Sequence, residues 1–414
     1  MRRWLAGLVA LTMIAGAPQA LAQTPYRDRV AGEFRTWLSA RVWPDAARQG
    51  VSQATFQRAL AGVTLDWSLP DLAPPGAPAR PGAQRQAEFR SPAAYFSEDQ
   101  LAGLARSGRA LVREWSRTLD AVERRYGVPR EIVVAIWGRE SAFGRAALPH
   151  SGVRALATKA FMATRRDFFY AELVAALRIL EEGHVAPDAL KSSWAGALGQ
   201  PQFLPTSFLK YAVDFDGDGR RDIWNSVPDT LGSIANYLAA HGWKADRGWG
   251  VEASVPDAVP CTLEGPDQGR PPADWQQGGV RTTSGGALQG FGRGGRGHLL
   301  MPAGRLGPAF MVTDNFYVLK AYNESDLYAL FVGHVADRIR GDARISGRWA
   351  TMAGFSRGDV RAMQERLVAM GHDVGGADGL VGFRTRVAIG RWQAANGIAP
   401  TCFPDAGLIR RIRS

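Results

Sequence analysis

The sequence predicts a mainly α-helical protein with a small β-containing lobe and a separate helical unit at its C-terminus. Apolar residues recur at helical spacing over most of the chain, as at Phe34, Trp37, Leu38 and Val42, the pattern of amphipathic helices. From about 247 to 312 this periodicity fades and glycine becomes frequent, as at Gly285-Gly286 and from Gly292 to Gly297. Val280, Leu288, Leu299 and Phe310 there suggest short strands. Residues 342–354 read as a linker, and the last 60 residues, 355–414, as a compact unit of their own.

In chain order, residues 1–22 read as a secretory signal. Arg2 and Arg3 precede an apolar run from Trp4 to about Ala15, and Ala20-Leu21-Ala22 fits a cleavage site before Gln23. The run is short for a membrane span, which needs ~20 residues; a retained N-terminal anchor is the alternative. Residues 24–64 read as helical, with a second short run at Gln53, Phe56 and Leu60. The Pro-, Ala- and Gly-rich stretch 69–83 reads as an extended loop. One helix is expected over roughly 97–126, carrying Leu101, Leu104, Leu111, Trp115, Leu119 and Val122 inward. Pro129 suits the first turn of the next helix. At least two helices follow over 153–182, then a Gly/Ala-rich turn from Ser192, an acidic loop at 214–225, a helix over 228–241 and another over 315–340.

The mature chain of about 390 residues suffices for two or three domains, at about 150 residues each. A formal charge of +11 points to polyanionic surroundings. No Lys/Arg block is paired with a stacking-aromatic pattern, which argues against nucleic acid; with an export signal, the acidic cell envelope is favoured. Cys261 and Cys402 lie far apart and show no metal-ligand spacing, and the six histidines form no cluster with them. A zinc site is therefore not expected, and the pairing of the two cysteines is left open.

The chemistry is concentrated in Ile136-Trp137-Gly138-Arg139-Glu140-Ser141-Ala142-Phe143-Gly144. Val133, Ile136, Trp137 and Glu140 fall on one helix face. A carboxylate in line with core positions is costly to keep ionised, so burial should raise its pKa and make it a proton donor near neutral pH. Gly144 is expected to end the helix. A helix-end Glu turned to solvent fits these nine residues equally.

An ordered series of motifs continues from there. It comprises Gly138-Arg139-Glu140-Ser141 with Phe143-Gly144, Ala155-Leu156-Ala157-Thr158, Arg165-Arg166-Asp167-Phe168-Phe169 and Ala195 to Ser207 through Gly199-Gln200-Pro201-Gln202-Phe203. Then come Ala212 to Gly219, Ser233-Ile234-Ala235-Asn236-Tyr237-Leu238, and Asn315-Phe316-Tyr317 with Tyr322-Asn323. From about Phe89 to Arg340 the chain thereby resembles the lytic murein transglycosylases of the membrane-bound B type, glycoside hydrolase family 103. The resemblance implies a lysozyme-like catalytic domain over 23–341. It also implies cleavage of the β-1,4 bond between N-acetylmuramic acid and N-acetylglucosamine with formation of 1,6-anhydro ends, and no cofactor for catalysis. Glu140 matches the single acid/base.

By motif position Ser193 and Gln202 flank a turn where small residues admit a glycan. Phe203, Tyr237, Tyr322 and Tyr328 are candidates to line the groove, and Tyr95 to reach it. Arg165 and Arg166 suit substrate carboxylates. Asp167 is expected to pair with a neighbouring Arg. Each aromatic taken alone is more often core than site, and the arginines could equally form a solvated helix end. Two alternatives remain: a muramidase that uses water on the same bond, and an inert wall-binding protein.

The loop Asp214-Phe215-Asp216-Gly217-Asp218-Gly219-Arg220-Arg221-Asp222-Ile223-Trp224-Asn225 has the EF-hand pattern, with Asp at positions 1, 3, 5 and 9 and Gly at 6. Asp214, Asp216, Asp218, Arg220 (position 7), Asp222 and Asn225 are the candidate ligands of a structural Ca2+. Asn225 replaces the bidentate Glu and Arg221 an apolar residue, so a weak site is expected, against a metal-free Asp-Gly turn. The last unit, through Ala377-Asp378-Gly379-Leu380-Val381-Gly382, Thr385-Arg386, Trp392-Gln393 and Asn396-Gly397-Ile398, resembles the three-helix peptidoglycan-binding domain. The expected partners are peptidoglycan glycan strands and possible wall enzymes, not nucleic acid, for a monomeric, periplasmic protein that is soluble or peripherally wall-associated.

Overall fold

The computed structural model describes residues 17–76, 92–341, 344–350 and 354–414, with side chains from residue 25 onward. Most of the signal expectation, residues 1–16, lies outside the described residues.

Helices dominate. Ala17–Trp37 (α1) passes through a wide π turn at Leu38–Val42 into Trp43–Arg48 (α2), followed by Gln53–Leu60 (α3). Next come Pro92–Tyr95 (α4), Glu98–Glu114 (α5), Ser116–Tyr126 (α6), Arg130–Ser141 (α7), Gly152–Met162 (α8) and Arg166–Glu181 (α9). Pro205–Tyr211 (α10), Val227–Ala240 (α11), Pro272–Gln277 (α12), Asp314–Ala321 (α13) and Asp326–Arg340 (α14) follow, then Arg357–Ala369 (α15), Phe383–Ala395 (α16) and Ala406–Arg413 (α17). The strands are His150–Ser151 (β1), Lys191–Ser192 (β2), Gly250–Ser254 (β3), Arg281–Thr282 (β4), His298–Leu300 (β5), Pro302–Arg305 (β6) and Ala309–Val312 (β7).

Two expected helices are interrupted. The one over 97–126 breaks at Trp115, whose φ of −99° and ψ of 23° end α5 and open α6. The one over 315–340 breaks between α13 and α14, where Glu324 takes a left-handed φ of 57°. In the lobe, β4-β3-β7-β5 form an antiparallel sheet. Leu299 and Phe310 lie on strands as expected, whereas Val280 and Leu288 lie outside them and fill the lobe core beside Trp275, Phe291 and Met311.

The described residues fall into two compact units. The first takes those within Met1–Gly82, Leu148–Leu198 and Leu204–Leu209. In it α8 packs on α9, and the acid Glu172, buried on α9, accepts from the amide and hydroxyl of Thr206 at 2.9 and 2.8 Å. The second takes those within Ala83–Ala147, Gly199–Phe203 and Lys210–Ser414. Its centre is α7, whose residues Ile132 to Gly138 are all buried under α5, α6, α11 and α14. The apolar stripe read from the sequence is therefore part of a helix enclosed on nearly every side.

The C-terminal helices α15–α17 enclose Met363, Leu367, Ile389, Trp392, Leu408 and Ile412. Buried Gln364 accepts from the Gly379 amide at 2.7 Å and donates to the Leu380 carbonyl at 2.8 Å, fixing the Asp378-Gly379 turn. Residues 344–350 are held rather than loose. The Ser346 and Gly347 amides donate to Glu252 at 2.8 and 2.7 Å, and Trp349 stacks on Phe96 with ring centroids 5.4 Å apart. Cys261 and Cys402, left open by the sequence, form a disulfide with Cα atoms 6.2 Å apart.

Candidate active site

The site grows from the C-terminal end of α7. Ala142 caps the helix in the left-handed region (φ 50°), Phe143 follows at φ 62° and Gly144 at 77°. The expected stop at Gly144 is thus two residues early, on an alanine. Left-handed backbone costs a non-glycine residue about 1–2 kcal/mol. Local contacts hold the turn: Ser141 Oγ donates to the Trp137 carbonyl at 3.2 Å and accepts from the Gly144 amide at 2.9 Å. A Cβ on Gly144 would meet Gln200 Oε1 at 2.5 Å and displace that side chain, and the left-handed φ also favours glycine there. Gln200, part of the motif but given no role from the sequence, accepts from Trp137 Nε1 at 2.7 Å and donates to the Trp224 carbonyl at 3.0 Å.

Glu140 occupies the last turn of α7. The residue is partly buried, and Tyr328 donates its hydroxyl to Glu140 Oε1 at 2.5 Å. Burial pushes the carboxyl up to about 7, against the opposing pull of the Tyr328 hydrogen bond and the Arg139 charge. Arg139 donates to the Tyr95 hydroxyl at 2.7 Å and lies over the Tyr95 and Phe331 rings at 4.8 and 4.9 Å. Tyr95 therefore stands next to the acid's sequence neighbour.

The structure brings the other candidate aromatics of this unit together. Tyr328 lies 6.2 Å from Tyr322, nearly parallel at 10°. Tyr322 packs on Tyr237 at 4.8 Å, and Phe203 on both at 5.7 and 5.9 Å. Tyr322 donates to the Pro201 carbonyl and Tyr237 to the Ala321 carbonyl, each at 2.8 Å, so these hydroxyls serve as structural ties. Phe203 and Tyr328 are almost fully buried. Gln202 has φ 53° and donates its amide to the Gly199 carbonyl at 2.8 Å, closing its own turn.

Ser193, Arg165 and Arg166 belong to the first unit. Ser193 Oγ accepts from the Ala197 amide at 3.2 Å. Arg166 donates to the Ala73 carbonyl at 2.8 Å, and Arg165 lies over Phe168 at 4.6 Å. Among the described residues Asp167 takes part in no ion pair; both arginines turn to other partners, which corrects that expectation. This unit also holds a residue the sequence reading missed. Lys159 is buried, donates to the Pro70 carbonyl at 3.1 Å, and sits 4.5 Å from the exposed Trp194 ring. Desolvation lowers its pKa to about 8.

In the acidic loop, Asp214 and Asp216 converge with Asp229, which the twelve-residue pattern did not include. Asp229 is buried in the first turn of α11 and accepts from the amides of Phe215, Asp216 and Asp222. Asp218 accepts from the Arg220 amide, and Asp222 from the Trp224 and Asn225 amides and the Asn225 side chain. Those acids are occupied in local turns, as are Asp214, which accepts from the Gly217, Asp218 and Gly219 amides, and Asp216, which accepts from the Asp218 amide and the Ser226 hydroxyl. Three converging carboxylates suit a hard, oxygen-liganded cation.

Helices gathered around a buried helix that ends on one perturbed acid define a lysozyme-like, mainly helical class. Residues 33–337 match the transglycosylase SLT domain family, and 356–412 match the peptidoglycan binding domain family. The chain is similar to SltB3 from Pseudomonas aeruginosa in complex with NAG-anhNAM-pentapeptide, at 38% identity over 92% of this chain and 99% of that one, with a TM-score of 0.80. The same protein with NAG-NAM-pentapeptide matches at 39% identity over the same shares, with a TM-score of 0.81. The membrane-bound lytic murein transglycosylase B of Escherichia coli K12 is 44% identical over 138 residues, 32% of this chain and 38% of that relative's length. The chain belongs to the transglycosylase SLT domain family.

Proposed function

We propose that the protein is a lytic transglycosylase that cleaves the β-1,4 bond between N-acetylmuramic acid and N-acetylglucosamine and leaves 1,6-anhydromuramoyl ends. The observation that carries this reading is the lone acid. Glu140 has a pKa raised to about 7 by burial, and among the described residues the charge that acts on it is that of Arg139, not of a second carboxylate. Hydrolytic glycosidases generally employ a pair of carboxyl groups. One suffices when the nucleophile is the sugar's own 6-hydroxyl, made effective by proximity. Protonated Glu140 donates to the glycosidic oxygen as the C1–O bond breaks. The carboxylate so formed accepts the proton of the 6-hydroxyl as that oxygen bonds to C1. The atoms balance without water. A near-neutral pKa suits a group that must first give and then take a proton.

Tyr328 orients Glu140, and the Phe203, Tyr237 and Tyr322 cluster walls its side of the site. The similarity to a protein crystallised with NAG-anhNAM-pentapeptide supports an anhydro product. In this reading Gln202 and Tyr95 contribute to binding the glycan in the unit that holds Glu140, and Ser193, Arg165 and Arg166 are candidate glycan and peptide contacts of the first unit by itself. The C-terminal helices hold the enzyme to the wall and raise local substrate concentration. The protein works in the periplasm; no helix of the described residues is long and apolar enough to cross a membrane. Asp214, Asp216 and Asp229 would hold a structural Ca2+, bracing the loop without entering the reaction.

The deciding experiment is mass spectrometry of muropeptides released from sacculi by wild type and Glu140→Gln. Anhydro ends from wild type and none from the variant are expected. Reducing muramic ends would assign a hydrolase, and release by Glu140→Gln equal to wild type would remove Glu140 from the chemistry.

A further inference from the structure

Arg386 belongs to the motif that marks the C-terminal unit as wall-binding, yet its side chain turns inward. It forms a bidentate pair with Glu264 of the inserted lobe, Nε to Oε2 at 2.9 Å and Nη2 to Oε1 at 2.7 Å. Nη2 also reaches Asp326 Oδ2 at 2.9 Å, and Nη1 donates to the Val381 carbonyl at 2.7 Å. Lys320 Nζ takes the other oxygen of Asp326 at 2.8 Å, and the Met301 amide donates to Glu264 Oε1 at 2.9 Å. The side chains of Arg386 and Glu264 are 3% and 1% exposed and that of Asp326 10%. Two acids and two bases thus close a charge-balanced cluster, buried except at Lys320, whose side chain is 24% exposed. In such a cluster, removing one member leaves an uncompensated charge.

The placement of Asp326 gives the cluster its meaning. It is the first residue of α14, directly after the N-cap Ser325, whose Oγ accepts from the Tyr328 amide. Two residues on, Tyr328 holds Glu140. Lys320 lies in the last turn of α13, which ends at Ala321 with Tyr322 as its C-cap. The cluster therefore clamps the α13–α14 corner that carries both tyrosines beside the acid. The C-terminal helices are themselves fastened to the lobe. Cys402 is bonded to Cys261, the Arg305 amide donates to the Thr401 carbonyl at 2.9 Å, and a Cβ on Gly265 (φ 123°) would meet the Phe383 ring at 2.8 Å. Such anchoring lets a buried ion pair set geometry instead of yielding to it.

We propose that Arg386 is a positioning residue for the catalytic acid. Through Asp326 it fixes the first turn of α14, and with it the Tyr328 hydroxyl on Glu140. The C-terminal unit is then part of the active-site scaffold as well as a wall anchor. This inference rests on the proposed function for its kinetic arm and on the fold alone for its dynamic arm.

The test uses full-length Asp326→Asn, which severs the arm to α14 but keeps the Arg386–Glu264 pair, together with Arg386→Met and Arg386→Lys. Hydrogen exchange of the 322–331 segment is measured alongside kcat and KM on soluble uncrosslinked glycan chains, and pelleting with sacculi. Asp326→Asn and Arg386→Met should speed exchange in that segment and lower kcat by on the order of tenfold, since small misplacements of catalytic groups cost rate steeply. KM should stay within about twofold and pelleting should be unchanged, because the binding surface is left alone. Arg386→Lys should recover part of the loss. Unchanged exchange in Asp326→Asn and Arg386→Met would overturn the inference, as would a loss confined to sacculi that follows lost pelleting. If Asp326→Asn lacks a cooperative melt, the Arg386→Met and Arg386→Lys pair decides by the same readings. A wild type that yields no anhydro ends would overturn the functional reading, while exchange would still decide whether Arg386 braces α14.

Discussion

Replacing Glu140 by Gln should stabilise the protein at alkaline pH while abolishing activity, and the size of the effect follows from the site. The folded carboxyl has its pKa raised from 4.5 to about 7, so the folded state binds this proton more tightly than the unfolded chain. Between those values the unfolded state loses the proton first, and stability falls as pH rises. Below pH 4.5 both states are protonated and nothing is lost. Above 7 the full difference, 7 − 4.5 = 2.5 at ~1.36 kcal/mol per pH unit, is about 3 kcal/mol. Partial solvent access to the residue lowers the realised figure to roughly 1–3 kcal/mol. Gln is neutral at every pH and can still accept from Tyr328, so it removes the penalty without emptying the site. Thermal unfolding of the two proteins should therefore nearly coincide at pH 4.5. Glu140→Gln should gain several degrees by pH 8, at about 2–4 °C per kcal/mol. A melting-temperature difference that is constant from pH 4.5 to 8 would refute the claim that burial of this carboxyl dominates its pKa.

Wild-type activity should fall as pH rises through about 7, because the donor must start protonated. Tyr328→Phe removes a hydrogen bond that favours the carboxylate, so this limb should move to higher pH; kcat should drop by roughly ten- to a hundredfold, the worth of a hydrogen bond to a charged group. Ca2+ at a hundredfold excess over its Kd should stabilise the wild type by about 2.7 kcal/mol in thermal unfolding and leave Asp229→Ala unmoved. Changing both Cys261 and Cys402 to Ser should cost about 2–5 kcal/mol in denaturant unfolding under oxidising conditions, with no cost when wild type is also reduced. Ala142→Gly should raise stability by about 0.5–1 kcal/mol, because glycine adopts φ 50° without the steric penalty.

Much of the helical architecture was legible because burial of one face leaves a period in the sequence. The breaks in it were not. Leu119 and Val122 continue the apolar phase of Leu101 and Leu111 past Trp115, so nothing in the pattern marks the end of α5. The corner at Tyr322–Ser325 is equally silent, since its left-handed residue is Glu324 and not a glycine or asparagine. In the lobe, Val280 and Leu288 are core residues without strands; an apolar residue records burial, not the hydrogen bonding around it. Tyr328 was among the candidates, but its bond to Glu140 spans 188 residues of sequence. The cysteine pair spans 141. Asp229 escaped because it lies four residues beyond the loop pattern, on the helix that follows.

Glu140 shows why the acid's position was easier to read than its tuning. Its place in the last turn of an apolar helix is a local fact, and it carries two influences of one sign. Burial disfavours the carboxylate, and so does the negative end of the α7 dipole. The opposing influences come from Arg139, one residue away, and from Tyr328, on a helix supplied late in the chain. Unopposed, burial would raise the group further, making a willing donor that returns slowly as a base. A hydrogen bond that favours the carboxylate brings the two protonation states close in energy, as a group working alone in both directions requires. The tuning therefore belongs to whatever fixes Tyr328: α14, its first turn at Asp326, and the side chains that hold that turn.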